Sequence, residues 1–231
     1  MSLVGQVLHS RYQIERQLKY NDGKYTLLAK DLQTKQLVAI KILSFDRNFK
    51  WEDLKLFERE ATTLKDLSHP AIPRYIDSFD LNLSDCKGFA MVQTYIDARS
   101  LQDWIESGRS FSEAEVQQIA RALLEVLIYL HNRHPAVIHR DIKPSNILLT
   151  DRSGHCEGKV YLVDFGSVQT ITTDNTRTVV GSYGYMPPEQ FGGRAVPASD
   201  LYSLAATLIW LVTGTHPADL LTGNLQIDFE R

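Results

Sequence analysis

The segment His139-Arg140-Asp141-Ile142-Lys143-Pro144-Ser145-Asn146 holds a carboxylate, an ammonium two residues on and a carboxamide five residues on. Asp164-Phe165-Gly166 follows downstream, and Val38-Ala39-Ile40-Lys41 lies upstream. Taken singly, Val-Ala-Ile-Lys reads as a buried strand and Asp-Phe-Gly as a turn. His-Arg-Asp-x-Lys-x-x-Asn, however, fixes five positions. At about one in twenty per position, a chance match in a chain of this size is on the order of 10⁻⁴. With all three motifs present in one order, a purely structural reading of these side chains is very improbable.

Together with Gly181-Ser-Tyr-Gly-Tyr-Met-Pro-Pro-Glu-Gln-Phe191 and the run Ser199 to Gly214, these motifs carry a resemblance. The chain resembles the eukaryotic-like protein kinases, most of all their bacterial serine/threonine branch, from about Arg11 onward. The resemblance implies an ATP-dependent transfer of the γ-phosphoryl group to Ser or Thr hydroxyls of proteins, with Mg²⁺ as the metal and Mn²⁺ as the alternative. Such a transfer has a loose transition state, so the protein mainly positions groups and neutralises charge. By the family's pattern, Asp141 accepts the proton of the substrate hydroxyl and Lys143 sits against the γ-phosphate. Asn146 and Asp164 are the metal ligands; oxygen donors suit a hard cation. Lys41 holds the α- and β-phosphates and pairs with Glu60 of a helix. Periodicity alone does not choose between Glu58 and Glu60, and either is most simply a solvated charge. For the adenine, the resemblance implies Thr26 and Ala39 as roof, Leu148 as floor, and the Thr94 carbonyl and Ile96 N–H as backbone partners. Gln93 then guards the back of the pocket. Plain core packing is the ordinary alternative for the three apolar-layer residues, and both can hold together.

The chain departs from the family at the phosphate loop, usually Gly-x-Gly-x-x-Gly-x-Val. The matching positions here are Lys19, Asn21, Lys24 and Thr26, so all three glycines are missing and Gly23 remains at the tip. Glycine allows close backbone approach to phosphate. Asn21 tolerates open angles better than most residues, and Lys19 and Lys24 offer charge instead. The expectation is a working ATP site under an altered lid. Lys143 fits serine/threonine rather than tyrosine acceptors. Ser182 takes the place of a hydroxyl that bonds near Asp141 and Lys143, with simple loop capping an equal alternative. Five threonines, Thr170, Thr172, Thr173, Thr176 and Thr178, lie between Asp164 and Glu189. Arg140 matches the family's receptor for a phosphate in that loop, so autophosphorylation there is expected. Glu189 resembles a glutamate whose arginine partner would lie beyond Arg231, and Asp200 one that braces the catalytic backbone. Two other readings compete: a nucleotide-binding pseudokinase scaffold, favoured by the missing glycines, and a small-molecule kinase of related fold.

The elements that must position these groups come in blocks. Strand-like runs at 11–20, 24–33 and 36–43 precede a helical stretch at 51–67, and two more strands fit 74–83 and 88–96. Asp22-Gly23 between the first two runs is a strong hairpin signal. The Leu54, Phe57, Ala61 and Leu64 stripe fits one helix face, with His69-Pro70 ending it. Ser100 to Asp103 and Ser112 to Glu115 fit capping boxes. Val116, Ile119, Leu123, Leu127 and Leu130 recur at helical spacing. Strands followed by helices argue for an α+β protein of two lobes: a small antiparallel-sheet N-lobe with one main helix (1–95) and a mostly helical C-lobe (96–231). By the resemblance, the C-lobe stops short of the family's last helices.

Composition agrees with a globular domain: 231 residues, 43% apolar and 23% charged. A net charge of −3 argues against nucleic acid as main partner. Cys86 and Cys156 are too few for a disulfide framework and suit a reducing, cytoplasmic setting. No secretory signal is visible. The apolar run Leu201 to Gly214 is too short to span a bilayer and reads as a buried core helix. An anchor beyond Arg231 is left open. His155-Cys156 is too sparse for a zinc site. Trp51, Trp104 and Trp210 read as packing residues.

Overall fold

A computed structural model describes residues 3–45, 49–83, 86–150, 158–170, 179–221 and 227–228. The chain forms two compact units, one of Met1–Ser68 with Pro73–Ile96, the other of His69–Ile72 with Asp97–Arg231.

The first unit is an antiparallel sheet with one helix. Its strands are β1 (Val7–Leu8), β2 (Tyr12–Asn21), β3 (Lys24–Asp31), β4 (Leu37–Ser44), β5 (Tyr75–Asn82) and β6 (Lys87–Thr94), in spatial order β1-β2-β3-β4-β6-β5. Strand side chains alternate between faces. Leu27 and Ala29 of β3, Val38, Ile40 and Ile42 of β4, and Ala90 and Val92 of β6 therefore share one buried face with Tyr12 and Ile14. Helix α1 (Trp51–Asp66) stops at Asp66, short of His69, with Leu67 already extended. Only Glu60 and Leu64 of this helix are buried. Trp51 corrects the packing expectation: at the helix start it is 69% exposed and meets Phe49 edge-on.

The second unit is mostly helical. It contains β7 (Arg99–Ser100), α2 (Leu101–Glu106), α3 (Glu113–His131), β8 (Val137–Ile138), β9 (Ile147–Leu149), β10 (Val160–Leu162), β11 (Gln169–Thr170), α4 (Pro188–Phe191) and α5 (Pro197–Thr213). Ser100 with Asp103 and Ser112 with Glu115 form reciprocal capping boxes that open α2 and α3. Each cap satisfies N–H groups the helix itself cannot. Helix α3 buries Val116, Ile119, Leu123, Val126, Leu127 and Leu130 and packs on α5. Helix α5 buries one face only; Leu201 and Val212 are exposed, so it is amphipathic rather than buried all round. Gly214 ends it in the left-handed region at φ 67°. Among the described residues, no helix is long and apolar enough to cross a membrane. Trp104 lies between the guanidinium groups of Arg99 and Arg109, and Trp210 packs with Tyr185 and His216. His155, Cys156 and the threonines from Thr172 to Thr178 lie outside the described residues.

The turn between β3 and β4 is built on Asp31. Its buried carboxylate accepts a two-pronged bond from Arg11 (3.0 and 2.8 Å), the Gln33 N–H and the Thr34 hydroxyl. The Arg11 guanidinium holds this carboxyl well below the usual carboxylate range. The unfolded chain thus binds more protons than the folded one below about pH 4, and stability rises with pH there. The resistance of the wild type to urea is predicted to fall as pH falls below about 4, and Asp31→Asn to flatten that limb. Equal acid sensitivity in the variant would contradict it.

Candidate active site

In the first unit, register places the predicted residues. Thr26 pairs with Lys41 and Leu28 with Ala39; Lys41 in turn faces Met91 and Ala39 faces Gln93. Period two therefore sets Thr26, Ala39, Lys41, Met91 and Gln93 on one face, opposite the Val38, Ile40 and Ile42 core. Helix α1 brings Glu60 to this face. Lys41 Nζ lies 2.6 Å from Glu60 Oε1, with the side chains 15% and 5% exposed. Glu58 is exposed; the neighbour that faces the sheet is the one that pairs. Thr94 and Ile96 are half-buried. The Thr94 N–H bonds the Arg74 carbonyl, and its hydroxyl accepts the Arg74 N–H, fixing the end of β6.

The glycine-poor segment is a closed hairpin. Lys19 pairs with Thr26, Tyr20 with Tyr25 and Asn21 with Lys24, leaving a two-residue turn. Asp22 at φ 43° and Gly23 at φ 80° fit a primed turn. Lys19 is exposed. Lys24 turns to Asp53 of α1, 2.7 Å away, in an exposed pair of little energetic weight.

The second unit gathers the acids and the amide. The hairpin of β9 and β10 aligns Ile147 with Leu162, and the Val163 N–H bonds the Asn146 carbonyl at 2.9 Å. Asn146 and Asp164 thus flank the same end of one ladder. Leu148 is half-buried on β9 opposite Tyr161. Asp141 is ringed by donors. The Ser182 hydroxyl donates to Oδ1 (2.7 Å), while Asn146 Nδ2 (3.0 Å) and Lys143 Nζ (2.8 Å) reach Oδ2. Lys143 also donates to Ser182 Oγ (2.6 Å), and Asn146 Nδ2 to the Asp141 carbonyl (2.8 Å).

The backbone here is unusual. Arg140 and Asp164, neither of them glycine, sit at φ 67° and 68°. Such angles cost free energy and persist where neighbours over-determine them. Asp200, fully buried on α5, accepts the N–H groups of His139 (2.9 Å) and Arg140 (2.8 Å), and His131 Nε2 donates to it at 2.9 Å. Burial pushes the His139 imidazole down in pKa, so it is neutral. Its Nδ1 accepts the Asp141 N–H at 3.4 Å, and its ring meets buried Phe165 edge-on.

Four supporting residues were not singled out from the sequence as parts of the site. Gln190 Nε2 donates to the carbonyls of Arg140 (2.7 Å) and Val180 (2.6 Å). Gly181, at φ 135°, leaves it room; a Cβ there would lie 2.5 Å from Gln190 Nε2. His131 holds Asp200, and Gln169 meets Arg140. Their only sequence signal is proximity to the motifs. Glu189 is exposed and accepts a bond from the Ser199 hydroxyl (2.7 Å).

Asn146 and Asp164 fit a hard divalent cation. Both offer oxygen, and the Asn146 amide nitrogen is committed to Asp141, which leaves Oδ1 as the atom that would meet such a cation. Gln190→Leu removes the shared donor while keeping bulk. It is predicted to lower unfolding free energy by about 1–3 kcal/mol in urea titration, the cost of unpaired buried carbonyls; an unchanged midpoint would contradict this role.

Comparison with known proteins agrees with this arrangement. Residues 22–228 match the protein kinase domain. The chain is 40% identical over 181 residues to serine/threonine-protein kinase F of Synechocystis sp., covering 72% of this chain and 35% of that protein. It is 36% identical to serine/threonine-protein kinase PknA of Nostoc sp. (94% of this chain, 39% of that one) and 33% identical to serine/threonine-protein kinase PrkC of Bacillus subtilis (94% and 32%). The chain spans about a third of the length of these curated relatives. An α+β fold of antiparallel sheet and helical unit, the three motifs and these relatives together make the chain a member of the protein kinase domain family, of the bacterial serine/threonine type.

Proposed function

We propose that this chain transfers the γ-phosphoryl group of ATP to Ser or Thr hydroxyls of protein substrates. The observation that carries the reading is the Asp141–Lys143–Asn146–Ser182 cluster, in which one carboxylate is fixed by donors on both oxygens. The acceptor hydroxyl gives its proton to Asp141 as its oxygen bonds to phosphorus and the bond to ADP breaks. Lys143 neutralises charge on the transferred group, and Ser182 and Asn146 hold the carboxylate in line. Lys41, set by Glu60, binds the α- and β-phosphates. Thr26, Ala39 and Leu148 supply apolar surface to the adenine, and the Thr94 carbonyl and Ile96 N–H are its backbone partners. Lys19, Asn21, Gly23 and Lys24 form the phosphate-side hairpin. Asn146 and Asp164 would hold a divalent cation, Mg²⁺ or Mn²⁺ in its place, which would supply positive charge against the phosphates. Lys143, two residues after Asp141, supports Ser/Thr acceptors. Free Cys86 supports a reducing, cytoplasmic setting. Autophosphorylation falls within the threonine-rich segment from Thr170 to Thr178.

Radiolabelled ATP transfer to dephosphorylated casein tests this. Asp141→Ala and Lys41→Ala are predicted to lose at least about a hundredfold in kcat/KM, and Ser182→Ala about tenfold in kcat with little change in KM for ATP. The wild-type chain should also label itself on Thr. Tight nucleotide binding with no transfer would overturn this reading.

A further inference from the structure

The Arg140 side chain is 1% exposed and directly precedes Asp141. Charge placed out of water demands acceptors for its N–H groups. Neutral acceptors from the stretch after Asp164-Phe165-Gly166 meet this guanidinium. Nε donates to the Ser167 carbonyl, Nη2 to the Val168 carbonyl (3.4 Å) and Nη1 to Gln169 Oε1 (3.0 Å). The carbonyls are set by backbone: Phe165–Ser167 forms a 3₁₀ turn, and β11 pairs with β8, Gln169 opposite Ile138. Of these three acceptors, the Gln169 oxygen is the one on a side chain. Among these three residues, Gln169 is therefore the one whose side-chain identity bears on how firmly Arg140 is held.

We propose that Gln169 is a positioning residue for the transfer reaction. Its carboxamide oxygen holds Arg140, and through it Asp141, in working position without phosphate on the segment that follows. The neutral amide does the task that a loop phosphate would otherwise do at Arg140. Phosphate added to the nearby threonines is then a product of activity and not its precondition. This rests on the kinase reading above.

The test compares untreated and phosphatase-treated wild-type chain with Gln169→Met and Gln169→Glu, using ATP and casein. Methionine keeps length and bulk but offers no oxygen; glutamate keeps the shape and the acceptor. Phosphatase treatment should change wild-type kcat by less than about twofold, Gln169→Met should lower kcat about tenfold with KM for ATP within about twofold, and Gln169→Glu should keep kcat within about threefold. A tenfold loss on phosphatase treatment would overturn the proposal. So would full activity of Gln169→Met, or equal loss in Met and Glu variants, which marks a packing role only. No transfer by untreated wild type would overturn the kinase reading, and this proposal with it.

Discussion

A single buried carboxylate organises the second unit. Asp200 has no exposed surface, and it accepts the backbone N–H groups of His139 and Arg140 while His131 donates to it from α3. Arg140 occupies a left-handed conformation that costs an L-residue about 1–2 kcal/mol. Hydrogen bonds to a charged acceptor contribute about 1.5–3 kcal/mol each, enough for the two from the backbone to offset that strain. The bend they hold sends three consecutive side chains in useful directions. His139 packs on Phe165, Arg140 enters the stretch at 167–169, and Asp141 meets Lys143, Asn146 and Ser182.

The first unit solves a different problem, the placement of one ammonium. Alternation along β4 buries Val38, Ile40 and Ile42 on one face and so forces Lys41 onto the other. There its charge needs a partner, and Glu60 of α1 supplies it at 2.6 Å with both groups largely shielded. A buried pair of this kind is costly to break from either side, which ties the helix to the strand. The hairpin at Asp22-Gly23 keeps β2 and β3 paired to the tip, so its backbone differs from an open glycine-rich loop.

Local signals were legible in the sequence because their physics is local. The Asp22-Gly23 turn, both capping boxes and the α3 stripe each depend on residues within a few positions of one another. The motifs around Asp141, Asp164 and Lys41 were readable by pattern. Pairing across long separations was not. The short strands β7 to β11 exist only because distant segments meet, and no two- or three-residue run announces that. Glu58 and Glu60 were equivalent by periodicity until the sheet face was known. Gln190 and Gln169 look like ordinary polar residues, and only the buried carbonyls and guanidinium they meet give them weight. Trp51 misled because apolar sequence neighbours do not bury a residue that starts a helix on its outer side.

If the Asp200 carboxylate aims the catalytic backbone, an amide of equal size should fail there, because its NH₂ faces an N–H donor. The direct measurement is the steady-state kinetics of Asp200→Asn beside its circular dichroism and urea midpoint. The account predicts a folded, less stable protein whose kcat falls at least about a hundredfold while KM for ATP stays within about threefold. A folded variant turning over at the wild-type rate would contradict it.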